Sequence, residues 1–233
     1  TLSSLDQNAY DIPVSRVNLD GESLIIEIAS ASARFTGTLS EDGSEVVGNW
    51  IQGQINYPLI LKRLEGEPDL SRPQEPIKPY PYLEEAAIIE NAADDVQLSG
   101  TITLPEGDGP HPAVVLISGS GPQDRDESIM GHRPFYVIAD RLTRAGIAVL
   151  RYDDRGTAKS TGKFGTATTE DFARDASAAV DFLKQHPRIN ASQIGLAGHS
   201  EGGLIAPMVC GLRDDVAFVA LLAATGVDGL TII

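Results

Sequence analysis

The sequence predicts an α/β fold, a mostly parallel sheet flanked by helices, preceded by a small antiparallel β-rich unit. From residue 82 onward, short continuous apolar runs alternate with amphipathic helical patterns. Residues 1–64 carry no helical period and instead contain short runs in which apolar and polar residues alternate. We therefore predict a partial β-rich accessory unit at 1–64, a proline-rich linker at 65–81, and the N-terminal part of an α/β core at 82–233.

Five strands are predicted in the N-terminal unit, as part of a barrel or sandwich: 14–19, 23–29, 33–39, 45–52 and 57–64. Asp20-Gly21 and the cluster at 41–44 are typical of the turns between such strands. Since a sheet that starts almost at residue 1 would leave an unprotected edge, we expect part of the unit to precede Thr1. The five prolines between residues 65 and 81 exclude a helix or a central strand there.

In the α/β core the pattern predicts a strand pair followed by parallel strands and three helices. The predicted strands are 86–90, 96–104, 113–117, 147–150, a short run beginning at Ile194, and a last buried strand at 216–222. Helices are expected from Pro134, from about Thr169, and directly after Ser200. Pro207 lies inside the third helix and predicts a bend. Cys210 in the same helix is expected to be a small buried side chain.

The composition restricts the partners of the chain. Acidic residues outnumber basic ones by 33 to 18, which gives a formal net charge of −15. Such a charge repels nucleic acid and anionic membrane surfaces, so we expect neither as a partner. The single cysteine excludes an internal disulfide framework and a cysteine-based zinc site. The sequence leaves the oligomeric state open.

A Gly-x-Ser-x-Gly motif at 198–202 stands between an apolar run and a helical pattern. This is the strand, turn and helix context in which a serine is presented as a nucleophile on a sharp turn. We predict that Ser200 is the nucleophile. Gly198 and Gly202 are then needed because side chains at these positions would collide with the neighbouring strand and helix.

The loop at 118–122 is rich in glycine and follows a buried strand. We predict that the backbone N–H groups of Ser120 and Glu201 form an oxyanion hole beside Ser200. A glycine-rich turn without a ligand is the alternative. The loop is not a dinucleotide fingerprint, because Asp124 stands at the third glycine position and no helix follows at once. No cofactor is therefore expected.

A serine nucleophile needs a general base and an acid, which follow it along the chain in this arrangement. The last histidine, His199, lies inside the motif, and the other three precede it. We therefore expect the chain to be a fragment whose base and acid lie beyond Ile233, with weak or absent turnover by residues 1–233. Asp228 is the candidate acid within the sequence.

Asp153, Asp154 and Arg155 follow a predicted strand at the same sheet edge. A salt-bridged support for the site is one interpretation of these residues. A cation held by the carboxylates at 124, 126, 153 and 154 is the less favoured alternative, and a solvated charge cluster is the default. No metal site is predicted.

Three stretches, VLISGSGPQDRD at 115–126, RYDDRG at 151–156 and GHSEGG at 198–203, occur together in this order. With them, residues 82–227 resemble a bacterial α/β-hydrolase family of serine esterases, related to acyl-CoA thioesterases and prolyl-oligopeptidase-like enzymes. Residues 1–64 resemble the β-rich module that some members carry.

The resemblance implies an α/β-hydrolase fold and an acyl-enzyme on Ser200, with N–H groups of Ser120 and Glu201 at the oxyanion. It also implies a small-molecule ester as substrate, and it favours an extracytoplasmic location. The acid and histidine of the family cannot be placed on this sequence. A peptidase, a thioesterase and a non-catalytic binding protein on the same fold stay open as alternatives.

Overall fold

The computed structural model describes residues 1–4, 9–66, 72–129 and 131–226. Two compact units are distinguished, one formed by residues 1–71 with 129–131 and the other by residues 72–128 with 132–233. The finer boundaries predicted from the sequence stay a prediction. Among the described residues, no helix has both the length and the apolar character that a membrane span requires.

The first unit consists of a hairpin and a five-stranded antiparallel sheet. Its strands are β1 Leu2–Ser4, β2 Ala9–Ile12, β3 Arg16–Asp20, β4 Ser23–Ile28, β5 Ala33–Leu39, β6 Glu45–Gln52 and β7 Ile55–Lys62. Strands β3 to β7 pair in chain order. Ile28, Phe35 and Val46 are buried on one face, as the alternating pattern predicts. Gly21 adopts a positive φ of 57°, as expected for the predicted turn after Asp20.

The second unit is built on a six-stranded mixed sheet. Its strands are β8 Leu83–Asn91, β9 Val96–Leu104, β10 His111–Ile117, β11 Ala148–Tyr152, β12 Ile189–His199 and β13 Phe218–Leu222. They lie in the order β13-β12-β10-β11-β9-β8. The four strands from β13 to β11 pair in parallel, whereas β9 pairs antiparallel with both β11 and β8. The carboxyl ends of β10, β11 and β12 therefore meet at one edge of the sheet.

Helices cover both faces of this sheet. They are α1 Pro134–Arg144, α2 Thr169–Gln185 and α3 Gly202–Leu212. Within β10, Val115 and Ile117 pack in the core shared with α2 and α3, while Val114 and Leu116 pack in the core shared with α1. The continuous apolar run at 113–117 thus reflects burial on both faces, as predicted.

Local sequence signals place the helix ends. α1 begins at Pro134, whose fixed φ suits the first helical position. α2 begins with a capping box in which the Thr168 side chain and the Asp171 side chain bond reciprocally to backbone N–H groups. α3 continues through Pro207 to Leu212, and the bend expected there stays a prediction.

Two burial predictions are wrong. Cys210 is exposed, because α3 buries the face that carries Ile205, Ala206 and Val209 and turns Cys210 outward. The last strand is not fully buried either, since Phe218 is 43% and Leu221 52% exposed. β13 is the outer strand of the sheet and pairs only with β12 among the described strands.

A buried ion-pair network joins α2 to the polar loop that follows β11. Arg155 donates to both carboxylate oxygens of Asp175 at 2.6 and 2.8 Å and to Asp94 at 2.7 Å. Asp175 is 1% exposed and also accepts a hydrogen bond from Asn91 at 2.8 Å. The buried charges are thus paired and hydrogen-bonded, which is the condition under which burial of charge is tolerated.

We expect Asp175→Ala to lower the free energy of unfolding by about 3–5 kcal/mol, because it leaves the buried Arg155 guanidinium without its main partner. Asp181→Ala on the same helix is the matched control. Asp181 is also paired with an arginine, Arg213, but its side chain is 58% exposed, so a loss below about 1 kcal/mol is expected. Urea denaturation of both variants measures the difference, and equal losses would contradict the assignment.

Candidate active site

The turn between β12 and α3 holds Ser200 in an unusual backbone conformation. Ser200 has a positive φ of 51°, a left-handed conformation that costs a non-glycine residue energy. Its N–H donates to the carbonyl of Leu222 on β13 at 3.0 Å, and its carbonyl accepts from Gly203 N–H at 3.0 Å. The predicted strand, turn and helix around this serine are therefore present.

Two glycines allow the backbones to cross at this turn. A Cβ atom on Gly198 would lie 1.9 Å from the carbonyl oxygen of Gly202. A Cβ atom on Gly202 would lie 2.2 Å from the carbonyl oxygen of Ile117 at the end of β10. Both distances are far shorter than any real carbon contact, so only glycine fits at either position.

The glycine-rich loop after β10 lies directly against Ser200. A Cβ atom on Gly119 would be 3.1 Å from the Cβ atom of Ser200. Among the described residues, the backbone N–H groups of Ser120 and Glu201 have no hydrogen-bond partner. Glu201 immediately precedes α3, so its N–H lies at the positive end of the helix dipole.

No histidine is hydrogen-bonded to the Ser200 hydroxyl among the described residues. His132 contacts Arg72 and Gln74, and His186 contacts Glu85. His199 places Nδ1 2.7 Å from Oε1 of Glu127. The candidate acid Asp228 lies outside the described residues.

The charged side chains at 153–155 are buried, so the default prediction of a solvated cluster is wrong, and Asp153 and Arg155 form salt bridges instead. Asp153 does not pair with Arg155, which turns to Asp175 instead. Asp153 accepts from Arg125 at 2.7 Å, and the same guanidinium donates to the carbonyl of Gly100 on β9 at 2.7 Å. Arg125 therefore anchors the glycine-rich loop to the sheet. The salt bridges join residues far apart in the chain, because sequence neighbours on a turn point in different directions.

The alternative prediction, a cation bound by the acidic residues of this loop, is not supported by the structure. In the described part of the chain, no group of three or more His, Cys, Asp or Glu side chains could hold a metal ion. Asp126 is committed to Arg133 and Arg151. Asp124 accepts the backbone N–H groups of Asp126 and Ser128 at 3.0 and 3.1 Å. These carboxylates hold the loop together.

Asp154 is the most strongly perturbed carboxyl group beside the site. It is 6% exposed, and its two oxygens accept from the Ser118 hydroxyl at 2.8 Å and from the Gln123 N–H at 2.9 Å. Burial raises the pKa of Asp154 to about 7, although these two hydrogen bonds act in the opposite direction. Asp154 therefore titrates near neutral pH.

A small cleft, open to solvent, lies next to the glycine-rich loop. Phe164, Phe172 and Ile205 provide apolar walls, and Asp154 and Glu201 provide polar ones. Glu201 is held by a hydrogen bond of 3.0 Å from the Thr169 hydroxyl at the start of α2. The cleft therefore combines apolar walls with two acidic side chains that are held by hydrogen bonds.

Sequence reasoning missed Glu127, a carboxylate that contacts both the glycine-rich loop and the serine turn. Its Oε1 accepts from the Gly119 N–H at 2.7 Å as well as facing His199. Its position directly after the acidic residues 124 and 126 is the only signal in the sequence, and such a run is more typical of a solvated cluster.

Comparisons with known proteins identify the fold of the second unit. A family model described as serine aminopeptidase, S33, matches residues 132–229. The solved structure of the α/β hydrolase GrgF from Penicillium sp. sh18 superposes with a TM-score of 0.53 at 24% identity, over 61% of this chain and 46% of that one. The second unit thus has the α/β-hydrolase fold. The predicted fold class is thereby confirmed.

Two curated relatives show sequence similarity to this chain. Esterase EstD of Thermotoga maritima is 40% identical over 112 residues, which cover 48% of this chain and 27% of the esterase. The 2,6-dihydropseudooxynicotine hydrolase of Paenarthrobacter nicotinovorans is 30% identical over 114 residues, covering 49% of this chain and 28% of that enzyme. The matched segment thus spans little more than a quarter of either relative.

We expect Gly198→Ala to lower the free energy of unfolding by about 1–3 kcal/mol, because the added methyl group forces the crossing backbones apart. Gly211→Ala in α3 is the matched control, since a Cβ atom there meets nothing within 4 Å and no positive φ is involved. That control should be neutral, or stabilising by up to about 1 kcal/mol. Chemical denaturation compares them, and an equally stable Gly198→Ala protein would contradict the steric account.

Asp154→Asn should remove a pH dependence of stability. The pKa of Asp154 is higher in the folded protein than its ordinary value of 3.8. The protonated Asp154 side chain therefore makes its full contribution to stability below pH 3.8. This contribution is lost as the pH rises through about 7. As the pH rises from 5 to 8, the free energy of unfolding of the variant, measured by urea denaturation, should therefore increase relative to that of the wild type. A difference that stays constant with pH would contradict the assignment.

Proposed function

We propose that the α/β-hydrolase domain is a serine hydrolase that cleaves carboxylic esters through an acyl-enzyme on Ser200. The observation that carries the proposal is the left-handed turn at Ser200, packed against Gly119 and flanked by two backbone N–H groups that have no partner among the described residues. The sequence similarity to a protein named esterase EstD supports an ester as the substrate.

In the first half of the reaction, the Ser200 oxygen attacks the ester carbonyl carbon while its proton passes to a general base. The carbonyl oxygen becomes an oxyanion, which accepts hydrogen bonds from the N–H groups of Ser120 and Glu201. Collapse of this intermediate breaks the bond to the alcohol, which leaves with a proton. One such N–H donor typically contributes about 3–4 kcal/mol to the stability of the transition state.

In the second half, water attacks the carbonyl carbon of the acyl-enzyme. A second oxyanion forms at the same two N–H groups, and its collapse releases the carboxylic acid. The proton returns to Ser200. No described histidine is hydrogen-bonded to the Ser200 hydroxyl as a general base would be. Asp228 remains the candidate acid. A small-molecule ester is thus the proposed substrate, and the proposed reaction uses no cofactor.

A peptidase is the second candidate, because the matching family model is described as a serine aminopeptidase. It would use the same nucleophile and the same N–H groups. Parallel assays with p-nitrophenyl esters and aminoacyl p-nitroanilides distinguish the two, and we expect faster turnover of the esters. Preferential cleavage of the anilides would favour the peptidase.

We expect a fluorophosphonate probe to label the natural protein that carries this sequence at Ser200, because phosphonylation uses the same nucleophile and oxyanion site. Ser200→Ala should abolish both labelling and ester hydrolysis. Ser192→Ala, a change of an exposed serine on β12, is the control and should be labelled like the wild type. Mass spectrometry of the labelled peptide locates the modification.

Absence of labelling in a folded natural protein would favour a non-catalytic binding protein. Hydrolysis that survives Ser200→Ala would assign the reaction to another residue. Residues 1–233 alone are expected to show weak turnover, since a serine without its base has little nucleophilic power.

A further inference from the structure

Glu127 is a buried carboxylate that the proposed reaction does not use. It is 4% exposed and follows the acidic part of the glycine-rich loop. Its φ of 52° lies in the left-handed region, and its N–H donates to the Asp124 carbonyl at 2.9 Å. The backbone is therefore held in a tight turn that directs this side chain inward.

One oxygen of Glu127 serves both halves of the candidate active site. Oε1 accepts from the Gly119 N–H at 2.7 Å and lies 2.7 Å from Nδ1 of His199. Gly119 belongs to the loop after β10, whereas His199 is the last residue of β12 and directly precedes the nucleophile. The carboxylate therefore joins the loop and the serine turn.

We propose that Glu127 is a positioning residue that fixes the loop of Ser120 relative to Ser200. The inference rests on the proposed esterase function and deepens it. A charged acceptor gives stronger hydrogen bonds than a neutral one, and these two donors compensate the cost of burying the carboxylate. Burial also excludes water that would otherwise compete for Gly119.

The contact with Gly119 determines which N–H group of the loop is available to an oxyanion. The Gly119 N–H is occupied by Glu127, whereas the next N–H along the chain, that of Ser120, has no partner among the described residues. Hydrogen-bond donors stabilise an oxyanion best when they are oriented before the reaction. The hydrogen bond from Gly119 to Glu127 fixes the backbone and so orients the N–H of Ser120.

The contact with His199 has a second consequence. A carboxylate is only an acceptor, so Nδ1 of His199 must carry the proton. The imidazole is thereby fixed in one tautomer and orientation, in the way a carboxylate orients a histidine in other sites. Since His199 is covalently joined to Ser200, the same bond restrains the serine turn.

The first experiment measures this arrangement without reference to activity. In the natural protein, NMR should show a downfield imidazole N–H proton of His199 and slow exchange of the Gly119 amide proton. Glu127→Ala should abolish the downfield His199 signal and accelerate the exchange of the Gly119 amide proton. Glu106→Ala, a change of an exposed carboxylate after β9, is the matched control and should alter neither.

The second experiment measures the catalytic consequence. Glu127→Ala should lower kcat for a p-nitrophenyl ester by about 10- to 100-fold with KM little changed, because a misplaced loop weakens interactions in the transition state. Glu127→Gln keeps an acceptor oxygen in the same place and should restore most of kcat. Thermal unfolding monitors folding, and if the alanine variant does not fold, Glu127→Leu, which fills the buried space but offers no acceptor, replaces it and should lower kcat by a similar factor.

The outcomes separate this inference from the proposed function. An active enzyme whose kcat is unchanged in Glu127→Ala overturns the positioning role. An inactive wild type in which Glu127→Ala still removes the His199 signal and the Gly119 protection overturns the esterase function and supports the positioning role. An inactive wild type in which both NMR features survive Glu127→Ala overturns both.

Discussion

The crossing of two backbones at the end of β12 is the constraint on which the rest of the candidate active site depends. With Gly198 and Gly202 in near contact, the chain must turn within the two residues after His199, and Ser200 adopts a left-handed conformation that it would otherwise avoid. The close approach also brings α3 under the end of β10. The loop after β10 consequently meets the serine turn.

Around this crossing, hydrogen bonds from side chains replace the regular ladder of the sheet. The glycine-rich loop must satisfy its polar groups without a strand partner, and buried carboxylates supply many of the acceptors. Asp153 holds Arg125, Asp154 holds the Gln123 N–H, and Glu127 holds the Gly119 N–H. Each acid of the loop region thus has a separate structural task, and together they fix a segment without regular secondary structure.

This arrangement accounts for the concentration of charge beside an otherwise apolar cleft. The carboxylates are tied to N–H groups and guanidinium groups of the loop and the sheet, so they stabilise the loop at the cost of burying charge. Asp154 bears that cost most clearly, since burial outweighs its two hydrogen bonds and moves its pKa to about 7.

Much of the fold could be predicted because local patterns are strong where burial is complete. The run at 113–117 identified a strand covered on both faces, and Pro134 marked the first residue of α1. Prediction was weaker where exposure depends on neighbours far away in the sequence. The sequence predicts burial of Cys210 and of the last strand, yet Cys210 is exposed and the strand is exposed in part.

The sequence by itself determined the positions of most strands and helices and the motif that places Ser200 on a turn, because these depend on periodicity and on where glycine is sterically required. Only the tertiary structure decided the partners of the charged side chains. Asp153 turns to Arg125, and Glu127 reaches across to His199, 72 residues away in the chain. The physical reason is that charge pairing depends on distance in space, which neighbouring positions in the sequence do not specify.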